Sequence, residues 1–149
     1  MDKAVLPEMT AADIAVFLDR EFPQIHEGGR VFTVEAAGHG SARLRMAYHE
    51  RLLRPGGTIS GPSMFELADV AMYAAVLSAI GPRALAVTTN LSINFLRRPE
   101  PRDMIAEARL LKLGKRLAVG EILLHSHGTE NLAAHATATY SIPTNNTVK

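Results

Sequence analysis

A single carboxylate lies inside one of the most apolar stretches of the chain. Asp69 follows Leu-Ala at 67–68 and precedes Val-Ala at 70–71. An ionised carboxylate without a partner in such surroundings costs several kcal/mol, and aspartate is a poor residue for the middle of a helix. The pattern indicates either a base or nucleophile in a dry cleft, or an acid that pairs with an arginine or faces a wet seam between subunits.

A second candidate for chemistry lies just ahead of this stretch. Ser60, Gly61 and Pro62 lead directly into it, so main-chain N–H groups and the positive end of the helix dipole point out of the loop. Pro62 suits a first helical turn because it has no N–H, and Gly61 has no side chain to keep a ligand from its N–H. These features predict an oxyanion hole at Gly61. The alternative is an ordinary Ser or Gly cap.

The amino-acid composition argues against several other classes of function. The chain has 149 residues, with 16 Lys and Arg against 15 Asp and Glu, so the strongly basic face of a nucleic-acid binder is not expected. It contains no Cys, which excludes disulfides and a cysteine nucleophile. His125 and His127 have a spacing that could chelate, but no third ligand is evident, so no metal is predicted. No apolar run reaches the length of a membrane helix. A cytoplasmic protein without membrane contact is expected.

Hydrophobic periodicity predicts the elements that position these residues. Thr10 to Asp13 has the form of a capping box ahead of a short helix. A period of two then predicts a hairpin, and a second, long apolar helix ends at Gly81-Pro82. The predicted elements are a helix over about 10–22, strands over 31–36 and 41–48, a loop over 54–62, a helix over 63–80, strands over 85–95, 104–113, 116–126 and 132–142, and a frayed tail over 144–149.

The long helix is apolar around nearly its whole circumference, so it must be covered on nearly all sides. The predicted fold is therefore α+β, a curved six-stranded antiparallel sheet wrapped around one long central helix, in a single domain over 1–149. One strand has even positions that are polar but uncharged, which favours contact with a cleft or another subunit. These positions are Thr88, Asn90, Ser92 and Asn94.

Four stretches, in this order and spacing, resemble the hotdog-fold acyl-CoA thioesterases of the PaaI family. They are GPSMFELAD at 61–69, AVTTNLSINFLR at 86–97, the segment 106–118 that contains Gly-Lys-Arg-Leu-Ala, and AHATATY at 134–140. The resemblance covers roughly 28–143 and implies the hotdog fold.

This resemblance implies a site shared between two subunits. The family's helix acid falls on Asp69, as general base or nucleophile on a thioester, and its oxyanion donor falls on the N–H of Gly61 from the opposite subunit. A positioning hydroxyl falls on about Thr88, and Tyr73 would line the same cleft. The sequence departs from the family's H-G-G loop and from an expected Asn or Gln, because Ser60, Pro62 and Arg54 stand at those positions.

The expected substrate is an acyl-CoA, so coenzyme A enters as part of the substrate and no cofactor is predicted. Arg97, Arg98, Lys115 and Arg116 are expected to meet its phosphates. An acyl slot is expected along the helix near Met64, Phe65, Ala68 and Met72. Further substrate-binding candidates are Arg54, Ser60, Tyr73 and Asn90.

The sequence thus predicts a homodimeric or homotetrameric acyl-CoA thioesterase. The alternative is a non-catalytic acyl-CoA binder in which Arg54 holds Asp69 as an ion pair and Pro62 weakens the oxyanion loop. A third interpretation, a hydratase of enoyl-CoA, needs a further base such as a His–Asp pair, which this helix region lacks.

Overall fold

The computed structural model describes residues 5–144. The first helix, α1, spans Ala11–Glu21 and begins with the predicted capping box, in which Thr10 and Asp13 bond each other's main-chain N–H groups. Its buried face consists of Ile14, Phe17 and Leu18. A single 3-10 turn follows at Pro23–His26. Residues 145–149 of the predicted frayed tail lie outside the described residues.

The predicted hairpin is present as β1, Phe32–Gly38, and β2, Ser41–Met46. Gly40, at the turn, has a φ of 79°, a conformation that glycine adopts without strain. The alternating apolar residues of β2 point into the core and are almost fully buried. The period of two in the sequence therefore predicted this element well.

The structure differs from the predicted loop over 54–62, because regular elements occupy both ends of this segment. Leu53–Arg54 and Thr58–Ile59 pair antiparallel as two short strands, β3 and β4. The second helix, α2, begins at Gly61 rather than 63 and ends at Ile80. It begins early because Ser60 caps it, and because the missing N–H of Pro62 costs nothing in the first turn.

Four strands follow α2, as predicted: β5 at Val87–Phe95, β6 at Met104–Leu113, β7 at Leu117–Ser126 and β8 at Leu132–Ser141. Together with β1 and β2 they form one antiparallel sheet in the order β1-β2-β6-β7-β8-β5. The six-stranded sheet is confirmed, and β1 and β5 are its edges.

Helix α2 packs across the inner face of this sheet. Small residues let it approach closely, and a Cβ on Gly120 of β7 would lie 2.7 Å from the sulfur of Met72. The helix is long and apolar enough to cross a membrane by length and composition, but 78% of its most apolar window is buried in the protein. It is the core helix. Its least covered stripe is Pro62, Phe65, Glu66 and Asp69.

Candidate active site

The carboxylate of Asp69 is half-buried and is held by two hydroxyl groups. Thr88 donates its Oγ1–H to Asp69 Oδ1 at 2.6 Å, and Tyr140 lies 2.8 Å from the same oxygen. No hydrogen bond to Oδ2 occurs among residues 5–144. The side-chain contacts therefore orient one carboxylate oxygen and leave the other available.

A β-bulge in β5 brings the two hydroxyls together. Thr88 pairs in register with Tyr140, and the bulge between Thr88 and Asn90 then shifts the alternation by one residue. Thr88 consequently points to the helix, as do Leu91 and Ile93, whereas Asn90 lies on the outer face opposite Thr139. The prediction that Thr88 and Asn90 share a face is wrong for this reason, and Asn90 lies away from Asp69.

Asp69 opens into a cavity of about 280 Å³, and three of the residues that line it are aromatic. The rings of Tyr73 and Tyr140 stack with centroids 6.0 Å apart, and the Phe22 ring meets Tyr73 edge-on at 6.2 Å. Tyr73 lines this cavity as the resemblance implies, but its hydroxyl donates to the carbonyl of Ala84 at 3.0 Å. Tyr73 therefore shapes the wall, and its hydroxyl does not reach Asp69 among the described hydrogen bonds.

Both phenols remain protonated near neutral pH. Burial, with the nearby negative charge of Glu21, raises the pKa of Tyr73 to about 12. Burial and the charge of Asp69 raise the pKa of Tyr140 far above its usual range. Tyr140 is therefore a hydrogen-bond donor to the carboxylate and not a base.

At the start of α2, the sequence leaves a single main-chain donor without an acceptor among the described residues of the first turn. Ser63 N–H bonds the side chain of Ser60, Met64 N–H bonds the carbonyl of Ser60, and Pro62 has no N–H. The remaining N–H belongs to Gly61. Ser60 thus serves as the helix cap, and the departures from the H-G-G pattern still leave the expected donor in place.

The Gly61 N–H belongs to a different cavity from the one at Asp69. A groove of about 640 Å³ is lined by the short β3–β4 hairpin, the start of α2 and the chain after β5. It gathers four predicted substrate-binding residues around Gly61: Arg54, Met64, Arg97 and Arg98. Eight residues separate Gly61 from Asp69, which is about 12 Å along the helix axis. The described chain therefore carries the candidate acid and the candidate oxyanion donor in two separate cavities.

Other predicted residues lie in neither cavity. Lys115 and Arg116 are exposed at the turn between β6 and β7, and Phe65 is 41% exposed on the uncovered stripe of α2. Ala68 and Met72 are fully buried under the sheet, so the part of the predicted acyl slot that they would form is wrong. Among residues 5–144, no group of three His, Cys, Asp or Glu could hold a metal.

Six residues that line the acid cavity are not among the predicted site residues, and the three with large side chains that shape it are Tyr140, Glu21 and Phe22. Tyr140 had a readable signal, because it is the one large residue after three alanines on the inward row of β8. Glu21 and Phe22 reach the cavity because α1 packs back over Tyr73. No local sequence pattern reports a contact between segments so far apart.

The antiparallel sheet wrapped around one long helix is the hotdog fold that the resemblance implies, and the family that it implies is a class of thioester hydrolases. Comparison with known families agrees, because the model of the thioesterase superfamily matches residues 56–133, more than half of the chain. The chain belongs to the thioesterase superfamily. This membership confirms the predicted family and the thioester hydrolase class that its name carries.

Individual relatives support the same assignment. A solved structure of a candidate thioesterase from Silicibacter sp. TM1040 is 50% identical, with a TM-score of 0.81 and coverage of 95% of this chain and 94% of that one. A candidate esterase of Halobacterium salinarum is 38% identical over 60% of this chain, and the match spans only 62% of that relative. The phenylacetic acid degradation protein PaaI of Thermus thermophilus, solved as a mutant, shares the fold, with a TM-score of 0.67 and 24% identity over 76% of this chain and 94% of that one.

Proposed function

We propose that this protein hydrolyses acyl-CoA thioesters in an active site built from two copies of the chain. One copy supplies Asp69 and Thr88, and the other supplies the N–H of Gly61. The observation that carries the proposal is the pair of half-sites: a carboxylate held by two hydroxyls, and, about 12 Å along the same helix, a main-chain donor without an acceptor among the described residues.

Distance supports a second copy. A base and an oxyanion donor must both lie about 3 Å from atoms of one reacting thioester. Gly61 and Asp69 of a single chain are too far apart for this. The surface between them favours pairing, because edge strand β5 offers nine residues without a charge or a proline beside the uncovered stripe of α2.

The proposed reaction is the addition of water to the thioester carbonyl. The oxygen of water bonds to the carbonyl carbon while Asp69 accepts a proton from that water. The carbonyl oxygen becomes an oxyanion, which the Gly61 N–H stabilises. The C–S bond then breaks, the carbonyl re-forms, and the thiolate takes the proton from Asp69. The products are a carboxylic acid and free coenzyme A. Direct attack by Asp69, followed by hydrolysis of the mixed anhydride, leads to the same products.

The groove beside Gly61 supports coenzyme A as the thiol part of the substrate. Arg54, Arg97 and Arg98 line it, and none of them forms a salt bridge among the described residues. Unpaired guanidinium groups suit phosphate oxygens. Lys115 and Arg116 remain proposed contacts from outside the groove. A cytoplasmic location remains part of the proposal.

The non-catalytic alternative depends on an ion pair between Arg54 and Asp69. No hydrogen bond or salt bridge joins these residues in the described part of the chain, and Asp69 is held by neutral hydroxyls instead. Within one chain, therefore, Arg54 does not lock the acid.

The test is release of free thiol from short-chain, long-chain and aromatic acyl-CoAs, with wild type beside Asp69→Ala. We expect turnover on at least one substrate, its loss in the variant, and retained binding of free coenzyme A. If no substrate turns over while acyl-CoA still raises the melting temperature, the protein is a binder and the proposal fails.

A further inference from the structure

Tyr140 has a hydroxyl that faces two acceptors of the same residue. The hydroxyl oxygen lies 2.8 Å from Asp69 Oδ1 and 3.0 Å from the main-chain carbonyl oxygen of Asp69. Tyr140 is only 3% exposed, and its ring is held by stacking on Tyr73. The oxygen is therefore fixed in place, while its proton can turn toward either acceptor.

A phenol has one proton, so it donates fully to one acceptor at a time. While Asp69 is ionised, the carboxylate is the stronger acceptor and takes the hydrogen bond. When Asp69 becomes neutral during turnover, whether by protonation or by acylation, the carbonyl oxygen is available at nearly the same distance. The buried hydroxyl then keeps a partner in both states, which avoids the cost of an unsatisfied donor.

We propose that Tyr140 is a positioning residue that works with Thr88 to hold Oδ1 of Asp69, to direct Oδ2 toward the thioester, and to satisfy its own hydroxyl in both charge states of the acid. This inference rests on the proposed function. It gives a role to a residue outside the expected set of Asp69, Gly61 and Thr88. Tyr140 acts only through Asp69 and does not transfer a proton to the substrate.

The surroundings leave few other groups to produce the same effect. The remaining titratable groups that line the cavity are Glu21 at the end of α1 and Tyr73 on α2. The hydroxyl of Tyr73 is committed to the carbonyl of Ala84, and Glu21 forms an ion pair with its neighbour Arg20 at 3.2 Å. A change confined to the hydroxyl of Tyr140 therefore reports on its contacts with Asp69 and with Thr88, which shares the same carboxylate oxygen.

The experiment compares wild type with Tyr140→Phe on the acyl-CoA that turns over best. We expect kcat to fall about tenfold while KM changes little, because the loss affects the acid and not substrate binding. The acid limb of the pH profile of kcat/KM should move to higher pH, since the ionised carboxylate loses a donor. Tyr48→Phe is the matched control for the acid, because it removes a hydroxyl that donates to the carbonyl of Gly57 in the β3–β4 hairpin, away from this cavity. Its effect is expected on KM, through the hairpin beside the groove, and its acid limb should match wild type.

A second readout does not depend on activity. Carbon-13 NMR of the Asp69 carboxyl group, followed against pH, should give a higher titration midpoint in Tyr140→Phe than in wild type and Tyr48→Phe. An unchanged midpoint together with an unchanged acid limb would show that Tyr140 only packs, and would overturn the inference. If Asp69→Ala keeps its turnover, the proposed function fails instead, and the NMR midpoint still decides whether Tyr140 controls the acid.

Discussion

The two half-sites of this chain differ in how complete they are. The cavity at Asp69 draws side chains from α1, α2, β5 and β8, and the groups that orient its acid all belong to the same chain. The groove at Gly61 consists of a main-chain N–H, a short hairpin and arginines outside any described salt bridge. One region is finished by intramolecular contacts, whereas the other presents donors and positive charge without acceptors. The proposed function accounts for this difference, because in it substrate and a second copy of the chain complete the groove.

The largest effect is expected at Asp69, in the cavity that intramolecular contacts complete. Asp69→Asn keeps the shape of the side chain and an acceptor for both hydroxyls, but it removes the base, so kcat/KM should fall about a thousandfold. Glu66→Gln is the matched control, because it neutralises a half-exposed acid one turn earlier on the same stripe. Steady-state thiol release measures both. Equal losses in the two variants would show that net charge, rather than the held carboxylate, matters.

The next largest effect is expected at Gly61, where two variants distinguish the role of the N–H from the role of the open space beside it. Gly61→Pro removes the N–H at a helix position that accepts proline, and kcat should fall about a hundredfold. Gly61→Ala keeps the N–H and adds a Cβ at 3.3 Å from the ring of Phe95. Alanine should therefore retain much more activity than proline. Similar kcat values for the two variants would contradict an oxyanion role for this donor.

The arginines of the groove should affect binding rather than chemistry. The double variant Arg97→Gln/Arg98→Gln should raise KM for acyl-CoA about tenfold, with kcat nearly constant. The same acyl group on N-acetylcysteamine lacks the nucleotide phosphates and should show little change. Lys115→Gln/Arg116→Gln, at a turn outside the groove, should raise KM less. If the truncated thioester is affected equally, these arginines do not bind phosphate.

The smallest effect is expected from the aromatic side chains in the cavity at Asp69. Phe22→Ala removes one aromatic wall next to Tyr73 and should shift the preference toward bulkier acyl groups by a few fold. Val16→Ala, an exposed change on the same helix α1, should leave the preference as in wild type. Relative kcat/KM values across the acyl-CoA panel measure this shift. A uniform loss on every substrate would show that the cavity beside Asp69 does not select the acyl group.

The main elements could be predicted because their patterns are local. The capping box at Thr10, the alternation of β2 and the apolar residues of α2 around Asp69 each lie within one short stretch of sequence. The family resemblance, rather than these patterns, supplied the pairing of Asp69 with Gly61 across two chains. That pairing stays a prediction, and in the described chain the two residues line separate cavities.

The bulge in β5 could not be predicted, because the residues around it hide the change of phase. Val87 is apolar yet 56% exposed, and Thr88 is polar yet points inward to Asp69. An alternation read through both residues assigns each to the wrong face. The walls of the acid cavity were missed for another reason, since α1 meets Tyr73 only through tertiary packing.

Mixing two inactive variants tests the two-chain site most directly. Asp69→Asn retains the Gly61 donor, and Gly61→Pro retains the acid. After unfolding and refolding an equal mixture, half of the dimers should contain one chain of each kind. Each mixed dimer should carry one site with both wild-type parts and one with neither.

We expect the refolded mixture to recover about a quarter of wild-type activity, although each variant refolded alone stays nearly inactive. Mixing without unfolding provides the control for subunit exchange. A refolded mixture with no more activity than the average of the two variants, in samples shown to contain mixed dimers, would contradict a site shared between Asp69 of one chain and Gly61 of another.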